Sequence, residues 1–181
     1  VDAGKTTITE NMLYKSGNIH IKGNVDDGTA QTDWLEVEKK RGISVRSAST
    51  ALTWQGININ LIDTPGHVDF SAEVERTLMV MDCAVLVISA AEGVEAQTEI
   101  LWNALLSMNI PTLIYINKID RRASDINKVL TEIKQLLTDD VIPIQTVDNE
   151  GSKDPEINNI LADKNQIEKS DKKAGDRIYE F

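Results

Sequence analysis

Short apolar, β-branched runs alternate along the chain with longer stretches in which apolar residues recur three and four positions apart. Ile59-Asn60-Leu61-Ile62, Ala84-Val85-Leu86-Val87-Ile88 and Leu113-Ile114-Tyr115-Ile116 are the clearest of the short runs. This alternation predicts an α/β domain in which helices cross over between strands. The spacing predicts a helix over 5–15, with Ile8, Met12 and Leu13 on one face. Strands over 45–54 and 57–62 are separated by Gln55-Gly56, a two-residue link that suits a tight hairpin, so this pair should be antiparallel. Helices over 71–81, 97–108 and 124–137, the last capped by Ser124, and buried strands over 84–89 and 112–116 complete the pattern. Residues 17–43 are polar and Gly-containing, and a loop that long inside a compact domain usually has a function. Beyond Asp148 the chain becomes dense in Asp, Glu, Lys and Asn. Ile157, Ile160, Leu161 and Ile167 there have helical spacing, which suits a short docked helix, the start of an inserted subdomain, or disorder.

Composition adds exclusions. At 181 residues, with 41 % hydrophobic and 27 % charged positions, the chain has the size and make-up of one globular domain, with room for a tail. No apolar run approaches the roughly 20 residues that span a bilayer. Val1-Asp2-Ala3-Gly4-Lys5 does not resemble a secretory signal. The one cysteine, Cys83, has no partner within the chain; next to Ala84-Val85-Leu86-Val87 it is expected to be buried as a small hydrophobe. A cytoplasmic location follows. The net charge of −10 gives no general attraction for nucleic acid, so DNA is not expected as a partner. RNA contacts would need local basic spots such as Lys39-Lys40-Arg41 or Arg121-Arg122, which equally suit a solvated helix end or turn.

Three motifs carry chemistry. Asp2-Ala3-Gly4-Lys5-Thr6-Thr7 is the second half of a phosphate-binding loop, G-x-x-x-x-G-K-S/T, whose first glycine would precede Val1. Backbone N–H groups around Gly4 and at the helix start can face a polyphosphate, and only glycine permits so close an approach. Lys5 supplies charge to the β- and γ-phosphates, and the Thr6 hydroxyl is a hard oxygen ligand for magnesium. Alone, the run would also suit an ordinary helix start. The strand over 57–62 leads into Asp63-Thr64-Pro65-Gly66, a D-x-x-G. There Asp63 can hold magnesium through water and Gly66 can give its N–H to the γ-phosphate; a plain turn is the other reading. Asn117-Lys118-Ile119-Asp120 follows the strand over 112–116. A carboxylate at Asp120 can accept from the ring N–H and the exocyclic amino group of guanine, a pair that adenine does not offer. A buried Asp120 would be left unpaired with ATP. Asn117 can bond the opposite edge of the base, and the Lys118 stem can pack along the ring.

The order of the three, each where a strand ends or a helix begins, makes GTP the expected ligand, because open α/β sheets bind ligands at those strand ends. Another phosphate-loop NTPase acting on ATP is the competing enzyme, against which Asp120 argues. A chain that binds nucleotide without catalysis is the competing non-enzyme.

At this point the sequence resembles the translational GTPases, in the branch that contains elongation factor G and the ribosomal-protection proteins of tetracycline resistance. The residues that carry the likeness run from Val1 to Glu10, then Thr32-Asp33-Trp34-Leu35-Glu36 through Arg41-Gly42-Ile43-Ser44. Asp63-Thr64-Pro65-Gly66-His67-Val68-Asp69-Phe70 with Glu73-Val74-Glu75-Arg76, Glu92-Gly93-Val94-Glu95-Ala96-Gln97-Thr98 and Asn117-Lys118-Ile119-Asp120-Arg121 complete them. The likeness covers residues 1–122. It implies a three-layer phosphate-loop G domain with a mostly parallel sheet, one antiparallel strand, and first and last strands truncated. Residues 1–147 would form a GTP-binding domain incomplete at its N-terminus, and 148–181 a charged tail or inserted subdomain. It also implies that His67 orients the attacking water beside Lys5 and Gly66. Val1 and Ile43 would be the apolar gate, and GTP/GDP with magnesium the cofactors. The implied partner is the ribosome, through ribosomal RNA and stalk proteins, with no membrane and a monomeric chain.

Ser44 stands where the family usually has a threonine that ligates magnesium. Its hydroxyl can still do so, without the stiffening β-branch. With Asp33-Trp34 and Glu38-Lys39 upstream, this serine is also similar to the release-factor GTPase. The compact stretch over 117–145, ending in Val141-Ile142-Pro143-Ile144-Gln145-Thr146, favours ribosomal protection over elongation-factor-G-type translocation.

Overall fold

A computed structural model describes residues 2–21, 23, 47–65 and 71–160. The chain divides into two compact units, Val1–Met81 and Asp82–Phe181.

In the first unit, α1 (Lys5–Lys15) starts directly after Gly4, whose φ of 91° turns the backbone into the helix. It stops at Ser16 and Gly17, where the Ser16 and Asn18 N–H groups close onto the Met12 and Leu13 carbonyls. The antiparallel hairpin β1 (Ala48–Trp54) and β2 (Ile57–Asp63) pairs Trp54 with Ile57 across the two-residue turn. Gln55 and Gly56 both have positive φ, 49° and 85°, the primed geometry that matches the strands' twist. Leu13 and Ile19 pack on Leu52, Ile59 and Leu61 of the hairpin. The buried stripe of α1 is Thr9, Glu10 and Leu13, so the expected face of Ile8, Met12 and Leu13 is corrected. Burial there follows the hairpin surface under Leu13, while Met12 stays exposed. The fully buried Glu10 carboxylate accepts the Gly23 N–H at 3.1 Å. The helix α2 (Ser71–Leu78) ends three residues before the expected limit, and Ser47 and Thr77 join their hydroxyls at 2.9 Å.

The second unit is built on a β–α–β crossover. β3 (Ala84–Ser89) and β4 (Thr112–Asn117) run parallel from Ala84↔Thr112 to Ser89↔Asn117, joined by α3 (Ala96–Ser107). Next comes α4 (Ile126–Glu132), which continues as one π turn, Ile133–Leu137. Ile88, Val129 and Ile133 form its core with Val94, Ile114, Ile116, Leu137 and Val141. The Trp102 indole N–H donates to the Leu137 carbonyl at 2.9 Å, fastening α3 to the π turn. Side chains alternate across a strand, so only one face of β3 and β4 enters that core. Val85, Leu113 and Tyr115 are exposed, against the expectation of wholly buried strands.

Three further expectations are corrected. Asp125, not Ser124, caps α4: its carboxylate accepts the Lys128 N–H at 2.9 Å, while the Ser124 hydroxyl donates to the Ile119 carbonyl. Cys83 is exposed, because it lies ahead of the first residue of β3. Ile157 belongs to a strand rather than a helix. β5 (Gln145–Asp148) and β6 (Glu156–Asn159) form a second antiparallel hairpin in addition to the one expected, reversed by Asn149 and Gly151 at φ 57° and 78°. Leu161 and Ile167, together with most of the loop over 17–43, lie outside the described residues.

Candidate functional site

The phosphate-loop residues sit where a helix begins. Gly4 is the cap residue of α1 and brings no side-chain bond to it, so no side chain of its own competes for the first N–H groups of the helix. A helix N-terminus carries a partial positive charge, which is suited to phosphate oxygens. Ala3, Lys5 and Thr6 are half-buried, and Asp2 and Thr7 are exposed. In the same unit, Asp63 is the last residue of β2 and only 5 % exposed. Gly66 and His67, as well as Val1, Ile43 and Ser44, lie outside the described residues.

Asn117-Lys118-Ile119-Asp120, expected to read the base, belongs to the second unit. β4 ends on Asn117, and Lys118 follows in the left-handed region at φ 61°. A non-glycine residue held there costs about 1–3 kcal/mol and persists only where its surroundings over-determine it. They do. The Ala90 N–H donates to the Asn117 carbonyl at 2.7 Å, and the Arg121 N–H to the Lys118 carbonyl at 3.2 Å. The Ile119 carbonyl accepts twice, from the Gly151 N–H at 2.8 Å and from the Ser124 hydroxyl at 3.1 Å.

Ser89 and Asn117 are register partners, so the loops after β3 and β4 leave the sheet at the same edge. The first of these loops is held in turn. Glu132 accepts the Val94 N–H at 2.9 Å, lies against Gly93 at φ 79°, and pairs with Lys128 at 3.6 Å. A side chain on Gly93 would collide with that carboxylate.

Asn117 and Lys118 are half-buried, whereas Asp120 is exposed. The expectation of a buried Asp120 carboxylate is therefore corrected. The structure keeps Asn117, Lys118 and Asp120 together on one loop, and Gly4, Lys5, Thr6 and Asp63 together in the other unit. Sequence reasoning missed Glu132, Glu150 and Gly151, and gave Ser124 a different role. Only Asn149-Glu150-Gly151 left a readable trace, as a turn signal between Thr146-Val147 and Ile157.

The donors fit magnesium. A hydroxyl at Thr6 and a nearly buried carboxylate at Asp63 are hard oxygen ligands. Magnesium takes few protein ligands and keeps water and phosphate oxygens. The described residues hold no cluster of three or more His, Cys, Asp or Glu.

Residues 1–175 match the family described as the elongation factor Tu GTP binding domain. The chain belongs to this family. GTP binding comes with membership, and GTP hydrolysis is the family's chemistry. Among its relatives, tetracycline resistance protein TetP of Clostridium perfringens is 52 % identical over 153 residues, 84 % of this chain and 24 % of TetP. TetW of Butyrivibrio fibrisolvens is 49 % identical over 168 residues, 93 % of this chain and 25 % of TetW. The chain thus spans about a quarter of the length of these relatives. A crystal structure of a Thermus thermophilus protein superposes with a TM-score of 0.79 at 26 % identity, covering 94 % of this chain and 28 % of the other. This elongation factor Tu-type G domain has no helix, among the described residues, long and apolar enough to cross a membrane.

Proposed function

We propose that this G domain serves a ribosome-activated GTPase of the ribosomal-protection type, which counters tetracycline. The observation that carries this reading is the identity of about half of all positions with TetP and TetW across most of the chain. It favours protection over elongation-factor-G-type translocation or a release-factor role.

The residues support the chemistry as follows. The amides around Gly4 and the Lys5 ammonium neutralise the β- and γ-phosphates. Magnesium, held by Thr6, Ser44 and, through water, Asp63, supplies further charge neutralisation when bound. Gly66 donates its N–H to the γ-phosphate and so links the D-x-x-G loop to the state of the nucleotide. His67 orients the attacking water, and Val1 with Ile43 keeps it out until the ribosome engages. Asn117, Lys118 and Asp120 read guanine. Phosphoryl transfer asks a protein mainly for positioning and charge neutralisation, and an activating partner can add about 10⁵ in rate. The isolated protein is therefore a slow GTPase.

The test compares wild-type and His67→Ala full-length protein in GTP hydrolysis with and without ribosomes. Ribosomes should accelerate the wild type by orders of magnitude. His67→Ala should lose about 10²–10⁴ of the stimulated turnover while keeping its GDP affinity. Fast turnover without ribosomes, or an unaltered rate in the variant with them, rejects the assignment.

A further inference from the structure

The turn between β5 and β6 does more than reverse the chain. The Gly151 N–H donates to the Ile119 carbonyl at 2.8 Å, inside Asn117-Lys118-Ile119-Asp120. One residue earlier, the Glu150 carboxylate accepts the N–H of Ile126 at 2.9 Å, at the first residue of α4. These bonds fall on either side of Asp120, so the exposed carboxylate expected to read the base hangs on a segment gripped at both ends. Gly151 sits at φ 78°, a backbone conformation that glycine adopts without strain. Its nearest neighbours, as seen from the missing Cβ, are the Arg121 carbonyl at 3.5 Å and, at 3.6 Å, Arg122 Cα and the Ser124 hydroxyl. The turn is itself held by the ladder from Val147↔Ile157 to Asp148↔Glu156 and by Asn158 donating to Asp148 at 2.8 Å.

We propose that Glu150 and Gly151 are positioning residues for guanine selectivity. They fix the loop so that Asp120 meets the ring N–H and the exocyclic amino group at once. The proposal rests on the reading of Asp120 given above. A two-point contact with one edge of a base tolerates little movement of its acceptor, and a loosened loop keeps one bond and loses the other. Hypoxanthine retains the ring N–H and lacks the amino group. The ratio of inosine diphosphate to GDP dissociation constants therefore reports the second bond directly.

The experiment measures that ratio by competition binding in magnesium buffer, using full-length wild type, Glu150→Ala and Glu150→Gln. Wild type should favour GDP by about tenfold or more, the size of one hydrogen bond to a charged group. Glu150→Ala should bring the ratio most of the way to one. Glu150→Gln, whose amide oxygen can still accept the Ile126 N–H, should restore it. A wild-type ratio in Glu150→Ala, with only a lower melting temperature, overturns the proposal and leaves the Asp120 reading intact. No preference for GDP in the wild type overturns that reading and this proposal with it. If Glu150→Ala does not fold, Glu150→Asp takes its place: it keeps the charge, shortens the reach by one methylene, and is read by the same criterion.

Discussion

At the scale of single residues, the proposed base selection rests on one side chain, Asp120. In the proposed function its carboxylate would offer two acceptor oxygens to the two donors on one edge of guanine, and charge-assisted bonds of this kind are each worth about 1.5–3 kcal/mol. Asp120→Asn replaces one acceptor with an NH₂ donor. That donor suits xanthine, which carries a carbonyl where guanine has its amino group. GDP affinity should fall by about 100-fold or more, and xanthosine diphosphate should become the better ligand, as read by competition binding. The motif residues were legible because their chemistry restricts them to one or two residue types at set positions. Glu132 and Glu150 were not. An acidic side chain in a charged stretch looks the same whether it is solvated or, as here, accepts the Val94 or Ile126 N–H. Lys118 in the left-handed region was equally hidden, since no local signal favours lysine there.

Among the elements, those with a strong period or a strong turn signal were read within a residue or two. α1 and β3 coincide with their expected limits, and the Gln55-Gly56 hairpin forms as expected. The failures have local causes. Ser124 and Asp125 are both good cap residues, and the competition was decided by the Ile119 carbonyl, which draws the Ser124 hydroxyl away. The helical spacing of Ile157 and Ile160 was overridden by the Asn149 and Gly151 turn, which folds β6 back onto β5. The π turn of Ile133–Leu137 leaves no mark in the apolar period, and its positioning bond from Trp102 is a tertiary contact. Ile133 is 1 % exposed and, where α4 passes into the π turn, packs with Ile88 of β3. Ile133→Ala should cost about 2–5 kcal/mol, visible as a lower urea midpoint of the full-length protein. A shift below a few tenths of a kcal/mol would mean that the contact between α4 and β3 is not a true core.

For the molecule as a whole, its G-domain family is established, and each of the two compact units bears part of the motif set. The proposed phosphate and metal residues fall in Val1–Met81 and the proposed base-reading residues in Asp82–Phe181. The proposed function needs both sets to serve the same GTP. The most direct measurement is calorimetric titration of the full-length protein with GDP and magnesium, run beside Lys5→Ala and Asp120→Ala. One site per chain, weakened about 100-fold or more by either substitution, is the predicted result. Undiminished GDP affinity in either variant would contradict it.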